Sequence, residues 1–328
     1  MSLLALAARG EPALPPRGAG LRPASGSCYA LLTLLFASCL LAAPGPEFER
    51  AREFYQRTEY QASLNVLHPL ANKGPAEIQL LGQDYFMLGE PKKATDEFDK
   101  ALALLEGSKT PIKQDLYVWL GRAYGRRAET SGLLSAPELA TRSRKYFETA
   151  VQMDILNKEA SGDLFDYYMG APGFMGGGLS KAQELAAKVL AADPAEGQHL
   201  FALLSEHDKD YAAVEQHLRQ AIQFEPKQAS RVMELARFLG QRGRAKEGDA
   251  LFDQAQRMAP QDRRIAFTRA QTYIEEKRNP NEARMLLENY LRGPFTPDDP
   301  PKQRALDLLA KLVSQKTGTE KPPRQAGH

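Results

Sequence analysis

The chain has 328 residues, with 43 lysines and arginines against 41 aspartates and glutamates, and a formal net charge of +2. Its hydrophobic fraction of 43% is too high for a disordered chain, and its balanced charge argues against a phosphate-driven nucleic-acid binder. Two cysteines cannot build a disulfide scaffold or a four-thiolate zinc site. At this length we expect either two ordinary domains or one extended array.

Residues 1–43 have the pattern of an export signal. Arginines among Pro, Gly and Ala precede an uncharged apolar run, residues 29–43, which ends in small residues before Pro44. The run is short for a membrane span, which needs about 20 residues. We therefore predict a cleaved signal peptide and an exported, periplasmic or envelope-associated protein. Retention of the segment as an N-terminal membrane anchor is the alternative.

Both cysteines, Cys28 and Cys39, fall inside this segment. Residues 36–39 resemble the lipobox of bacterial lipoproteins, although Phe36 stands where the lipobox prefers an aliphatic residue. Cys39 is therefore a candidate for lipidation, with an incidental thiol as the alternative. Removing residues 1–43 leaves equal numbers of basic and acidic residues, so electrostatic specificity in the remainder must come from local charge patterns.

From residue 47 onward the sequence predicts helices that recur. Ala, Leu, Glu, Lys and Arg appear at helical spacing, and alternating strand patterns are scarce. Pro194, Pro226 and Pro260 each close a helical stretch at intervals of about 33 residues. Ahead of these prolines, pairs of residues three apart predict a buried stripe on each helix: Ala186 and Val189, Leu218 and Ala221, Phe252 and Ala255.

A stronger pattern lies upstream. The motif Leu-Gly-x-x-Tyr occurs twice, followed each time by small and aromatic residues: Leu81, Gly82, Tyr85, Ala94, Phe98 and Ala101, then Leu120, Gly121, Tyr124, Phe147 and Ala150. In the second copy about ten extra residues, including 130–137, lengthen the turn. These residues resemble the tetratricopeptide repeat (TPR), and the resemblance covers residues 47–292 in about seven units. It implies an all-α, right-handed superhelical solenoid of helix-turn-helix repeats. We also predict a capping helix over residues 301–313 and a disordered tail over 314–328.

In such a solenoid the first helix of each hairpin lines a concave groove. The predicted exposed groove positions are Gln79, Gln83, Phe86, Arg122, Arg126, His199, His207, Met233, Arg237, Gln241, Phe267 and Gln271. This set is rich in Arg and Gln and poor in carboxylates, which suits an extended peptide with acidic side chains and apolar anchors. The alternative is an ordinary solvated helix face without a ligand.

Residues 170–181 break the repeat with a glycine-rich inter-helix turn. It is not a phosphate-binding loop, because a helix precedes it and Leu179 separates the glycines from Ser180 and Lys181. We expect glycines with positive φ and a structured loop that packs Phe174 and Met175 on the neighbouring repeat.

Enzyme and metal motifs are not found. Residues 44–328 contain no cysteine, no HExxH and no GxSxG, and His199 and His207 are about 12 Å apart along one helix. We predict no catalytic residue, metal site or cofactor. The predicted function is a non-catalytic scaffold that binds a peptide or helix of a partner protein in its groove, without nucleic acid. Alternatives are a membrane-tethered TPR assembly factor and a hydrolase with a TPR shell.

Overall fold

The computed structural model describes residues 45–107, 109–132 and 134–317. Within these ranges all regular structure is helical. The α-helices are α1 Pro46–Gln56, α2 Tyr60–Leu67, α3 Pro75–Met87, α4 Pro91–Leu104, α5 Pro111–Thr130, α6 Ala136–Met153, α7 Lys158–Gly170, α8 Leu179–Ala192, α9 Pro194–His207, α10 Tyr211–Phe224, α11 Ala229–Gln241, α12 Ala245–Met258, α13 Arg263–Glu275, α14 Pro280–Arg292 and α15 Lys302–Thr317. The predicted all-α class is confirmed.

The first fourteen helices pair into seven consecutive hairpins, from α1 with α2 to α13 with α14. First helices also contact one another between neighbouring hairpins, as α3 does with α1 and α5. The helix α15 packs on α13 and α14, where the capping helix was predicted, and it extends past the predicted boundary at residue 313. Residues 1–43 with Cys39, and residues 318–328 of the predicted tail, lie outside the described ranges, so those predictions remain predictions.

The repeat residues form the core between stacked helices. All six residues of the predicted stripes from Ala186 to Ala255 are buried, as are Phe98, Ala101, Phe147 and Ala150. Gly82 on α3 and Gly121 on α5 lie directly against the rings of Phe98 and Phe147, leaving no room for a Cβ atom. In both hairpins, therefore, the glycine lets the second helix approach the first closely enough to bury an aromatic ring.

Gly121→Ala is expected to lower the free energy of unfolding by about 1–3 kcal/mol, because the added methyl group overpacks the contact with Phe147. Gly162→Ala on α7 is the matched control. A Cβ at Gly162 meets nothing within 4 Å, so this variant should gain up to about 1 kcal/mol from helix propensity. Urea unfolding of both variants measures the difference, and equal stability would contradict the role given to Gly121.

Five of the seven hairpin turns share one conformation. The second residue after the first helix has positive φ in each: Thr58, Gly89, Lys209, Gly243 and Lys277. The following residue donates its backbone N–H to a carbonyl five residues earlier, as Glu90 does to Tyr85 at 2.8 Å. This is the Schellman arrangement, which satisfies the carbonyls at a helix C-terminus. These five turns are consequently short and uniform.

The turns of the third and fourth hairpins are longer, at residues 131–135 and 171–178. The glycine-rich turn contains a short 3₁₀ segment, Gly173–Met175, that contacts α6. Gly176 and Gly178 have positive φ, as predicted. The predicted packing of Phe174 is wrong, because its side chain is 81% exposed. The 3₁₀ segment rests on the second helix of the preceding hairpin and turns the Phe174 ring toward solvent.

None of the described helices is long and apolar enough to cross a membrane.

Candidate functional site

A cleft of about 460 Å³ opens on the concave side near the C-terminal end of the stack. It is bounded by first helices of three consecutive hairpins, α9, α11 and α13, and by the start of α15. Five predicted groove residues meet there: His199, Met233, Arg237, Phe267 and Gln271. These side chains come from separate hairpins, so the stacking of the repeats is what brings them together.

The floor of the cleft is apolar and its rim is basic. Met233 is half-buried, and the guanidinium carbon of Arg304 lies 5.7 Å from the ring centroid of Phe267. Arg304 also donates a hydrogen bond of 3.1 Å to Gln271 Oε1. A cation over an aromatic face is attracted by the ring quadrupole, which orients Arg304 at the rim. The sequence prediction missed Arg304 because this residue belongs to the capping helix.

The exposure predicted for Phe267 is wrong, since its side chain is only 2% exposed. Its ring centroid lies 5.1 Å from that of Tyr290 on α14, and Arg304 covers it from α15. Phe267 therefore serves as part of the core that underlies the cleft. Gln79 on α3 is likewise buried, at 9% exposure, because α3 packs between α1 and α5.

Arg237 is one of two cations in this cleft, with Arg304, that have no carboxylate partner among the described residues. It is half-buried on α11, and among the described residues the structure records no hydrogen bond or ion pair for its guanidinium. An uncompensated guanidinium beside apolar side chains favours a carboxylate as its partner, because charge-assisted bidentate hydrogen bonds are the strongest it can form.

His199 and Glu234 pair across α9 and α11, with 2.7 Å between His199 Nδ1 and Glu234 Oε1. Burial disfavours the charged imidazole, but the carboxylates of Glu234 and Glu196 outweigh burial and raise the pKa of His199 above its ordinary value. The imidazole is therefore charged over a wider pH range than a free histidine. Protonation adds a positive charge to the wall of the cleft.

The N-terminal half of the groove differs from the prediction in its charge. Arg122 on α5 donates to Asp163 Oδ2 at 2.6 Å and lies 3.0 Å from Glu159 Oε2, and both carboxylates belong to α7. Its guanidinium carbon also lies 5.3 Å from the centroid of the Trp119 ring. Arg122 is thus already neutralised within the protein. The expectation of a carboxylate-poor groove is wrong here, because the prediction assigned no groove position to α7.

The remaining predicted residues are dispersed. Phe86 is half-buried, with its ring centroid 5.5 Å from that of Trp119, and Arg126 is exposed and paired with Glu129 at 2.8 Å. Gln241 donates to Glu275 at 3.0 Å. The half-buried Gln83 and the exposed His207 complete the set, and His207 is 3.1 Å from its neighbour Asp208. These residues do not line the cleft that contains Arg237.

Comparison with known proteins identifies the fold. A tetratricopeptide repeat protein from Parabacteroides merdae superposes with a TM-score of 0.50 and 14% sequence identity, over 81% of this chain and 97% of its own. A thermophilic TPR protein from Thermus thermophilus gives 0.44 and 18%, over 61% and 100%. No protein-family model and no curated protein matches the chain. The chain has the tetratricopeptide repeat fold, as the sequence predicted.

The side chains of the cleft are chemically suited to binding a ligand. No group of three or more His, Cys, Asp or Glu side chains in the described part of the chain is placed to hold a metal ion. Among the other histidines, His217 Nδ1 lies 2.6 Å from Gln198 Oε1 inside its own hairpin. The cleft combines an apolar floor, the guanidinium groups of Arg237 and Arg304, amide and hydroxyl groups, and one carboxylate, Glu234, which is paired with His199. The two unpaired guanidinium groups suit a peptide side chain with a carboxylate.

Proposed function

We propose that the protein is a non-catalytic scaffold that holds an extended segment of a partner protein in its concave groove. The convergence of Met233, Arg237, Gln271 and Arg304 on one cleft carries this proposal. The segment places an acidic side chain between the two guanidinium groups and an apolar side chain on the floor formed by Met233 and Phe267. Stacked first helices give the groove its length, which suits an extended chain.

The requirement for a carboxylate follows from the charges that surround the cleft. Arg237 forms no ion pair among the described residues, and the one carboxylate that lines the cleft, Glu234, pairs with His199. Arg122, in the other half of the groove, is neutralised by α7. The groove is therefore polarised: among the described groove positions, Arg122 and Arg126 are paired with carboxylates, while Arg237 and Arg304 at the cleft are not. A bound segment is expected to have its acidic residue in register with hairpins five to seven and neutral or basic residues toward α7, where Glu159 is exposed.

A peptide array tests this assignment. Immobilised peptides that vary in charge and hydrophobicity are probed with the protein and with Arg237→Glu. We expect the retained peptides to carry Asp or Glu beside Leu, Phe or Met. The reversal should weaken their binding by about thirtyfold or more, because it places two like charges together in a partly desolvated site.

Arg257→Glu is the matched control, because it makes the same change of charge at an exposed position on α12, away from the cleft. Its binding should stay within about twofold of the parent. Retention of basic peptides, or an equal loss in both variants, would contradict the carboxylate assignment. Retention of no peptide by the parent protein would overturn the scaffold proposal itself.

Two sequence-based alternatives remain proposals to be tested in cells. The first is an exported, periplasmic protein whose residues 1–43 are removed, and the second is an envelope assembly factor tethered by that segment or by a lipid on Cys39. N-terminal sequencing and mass measurement of the protein isolated from its own cells separate them. A hydrolase within the same fold would show turnover that is lost on changing one residue.

A further inference from the structure

Two neighbouring hairpin turns expose large apolar side chains. Leu134 in the turn between α5 and α6 is 100% exposed, and Phe174 in the turn between α7 and α8 is 81% exposed. These are the two turns that lack the short Schellman form found in the other five. In each of these longer turns, an apolar side chain therefore lies exposed beyond the helix ends.

The turn that carries Phe174 is internally fixed. Tyr167 donates its hydroxyl to the Met175 carbonyl at 2.9 Å, and Gly178 donates its N–H to the Tyr168 carbonyl at 2.7 Å. Gly177 is buried so closely against the Ala171 backbone that no Cβ fits there. Phe174 is thus held outward on an ordered loop, and little conformational entropy is lost when it enters an apolar medium.

Both turns lie on the same edge of the stack. A cleft of about 640 Å³ joins the start of α4 to the turn that carries Leu134, and Lys92, Ser131 and Ser135 line it. The 3₁₀ segment of the Phe174 turn packs on α6, which begins at the Leu134 turn. The inter-helix turns of the second, third and fourth hairpins therefore lie at one edge of the stack, and we call this edge the ridge.

Basic side chains surround the apolar tips. The cleft beside the turn that carries Leu134 is lined by Lys92, Lys93, Arg127 and Arg142 and by two carboxylates, Glu90 and Glu138. The carboxylates pair with Lys93 and with Arg142, which leaves an excess of positive charge. Beside Phe174, Lys181 caps the Gly176 carbonyl at 2.8 Å and is exposed. The ridge therefore combines projecting apolar groups with flanking cations.

We infer that this ridge docks on the surface of an anionic lipid bilayer, with Leu134 and Phe174 inserted at the boundary between headgroups and acyl chains. Apolar groups at the membrane interface are buried in that boundary, where lysines and arginines meet lipid phosphates. A protein interface of ordinary size needs a broad complementary patch, whereas these tips stand on separate turns among charged groups. Docking through the ridge leaves the groove residues around Arg237 free for a partner protein.

The test uses the full chain and a probe placed at the ridge. In Phe174→Trp, the introduced tryptophan reports depth through quenching by vesicles whose phosphatidylglycerol carries brominated acyl chains. The signal of Trp119 is subtracted with the parent protein. Phe224→Trp is the matched control, because Phe224 is 55% exposed at the C-terminal end of α10, at the opposite edge. If another segment of the chain binds lipid, the tryptophans at positions 174 and 224 should be quenched to a similar extent.

We expect strong quenching and a blue-shifted emission at position 174 and neither at position 224. Quenching should disappear with phosphatidylcholine vesicles and weaken in Lys92→Glu, Lys93→Glu. Combining Leu134→Ser with Phe174→Ser should reduce vesicle binding by about tenfold. Absent quenching at position 174, or equal quenching at both positions, would overturn the inference. Binding of a partner protein to Phe174, without quenching by lipid at position 174, would overturn the inference as well.

Discussion

Replacing Asp84 with asparagine is expected to raise the free energy of unfolding by up to about 4 kcal/mol at about pH 8. Asp84 lies on α3 with its side chain fully buried. No described group makes a hydrogen bond to either of its carboxylate oxygens. Burial raises its pKa from the ordinary 3.8 to about 7, against the opposing effect of the nearby Ser63 hydroxyl. An ionised carboxylate at this position destabilises the folded state.

The pH dependence follows from the raised pKa. Between the ordinary value of 3.8 and about 7, the folded protein binds the proton of Asp84 more tightly than the unfolded chain does. The contribution of Asp84 to stability therefore falls as pH rises through this window and reaches its lowest level above about pH 7. In Asp84→Asn that fall disappears, and the two proteins should have similar stability below about pH 3, where the carboxyl is largely neutral in both states.

Chemical denaturation at a series of pH values measures both curves. Asp96→Asn on α4 is the control, because Asp96 is exposed and its substitution should change stability by less than about 0.5 kcal/mol at every pH. A parent protein whose stability does not decline between about pH 4 and pH 7, relative to Asp84→Asn, would show that Asp84 is solvated or partnered in solution.

The repeat architecture could be predicted because its determinants are local and periodic. Gly121 with Phe147, and the stripe of Phe252 and Ala255, specify close helix contacts by composition and spacing alone. The capping helix was predicted for the same reason, since residues 301–313 alternate apolar and polar groups with helical period. Its C-terminal boundary was not predicted, because helix ends depend on weaker signals.

The charge and exposure of the groove depend on contacts between distant helices. Phe267 matches an exposed groove position in its own repeat, yet Tyr290 and Arg304 cover it from two later helices. Arg122 is neutralised by Asp163, which lies 41 residues away on α7. The acidic positions of α7 recur at helical spacing in the sequence, so placing that helix in the repeat frame would have revealed the neutralisation of Arg122.

The groove and the ridge use different parts of each hairpin. Most residues of the cleft project from the bodies of first helices, whereas Leu134 and Phe174 stand on turns at the ends of first helices. A turn can therefore lengthen without disturbing the packing of Phe147 or Phe165 between the helices. This separation is what allows one stack to hold a partner segment while a second surface serves another purpose.

The second large effect is expected from Arg231→Met, which should lower the free energy of unfolding by about 3–5 kcal/mol. Arg231 and Glu196 join α11 to α9, and both side chains are less than 10% exposed. Arg231 also donates to Glu225 at 3.1 Å, and Glu225 in turn pairs with Lys158 at 2.7 Å. Removing the guanidinium leaves the Glu196 carboxylate buried without its partner, whereas Glu225 keeps Lys158.

Adding Glu196→Leu to Arg231→Met should recover most of the lost stability, because a buried ion pair replaced by apolar groups is often neutral in its net effect. The partly exposed pair of Arg219 and Glu215 provides the control: Arg219→Met should cost no more than about 1 kcal/mol, since Glu215 keeps its second partner, Arg244, and water screens the pair. Urea unfolding of the single and double variants gives the coupling between Arg231 and Glu196. If the double variant is as unstable as Arg231→Met, the loss comes from packing of the long arginine side chain against its neighbours, and the buried charge of Glu196 is not its cause.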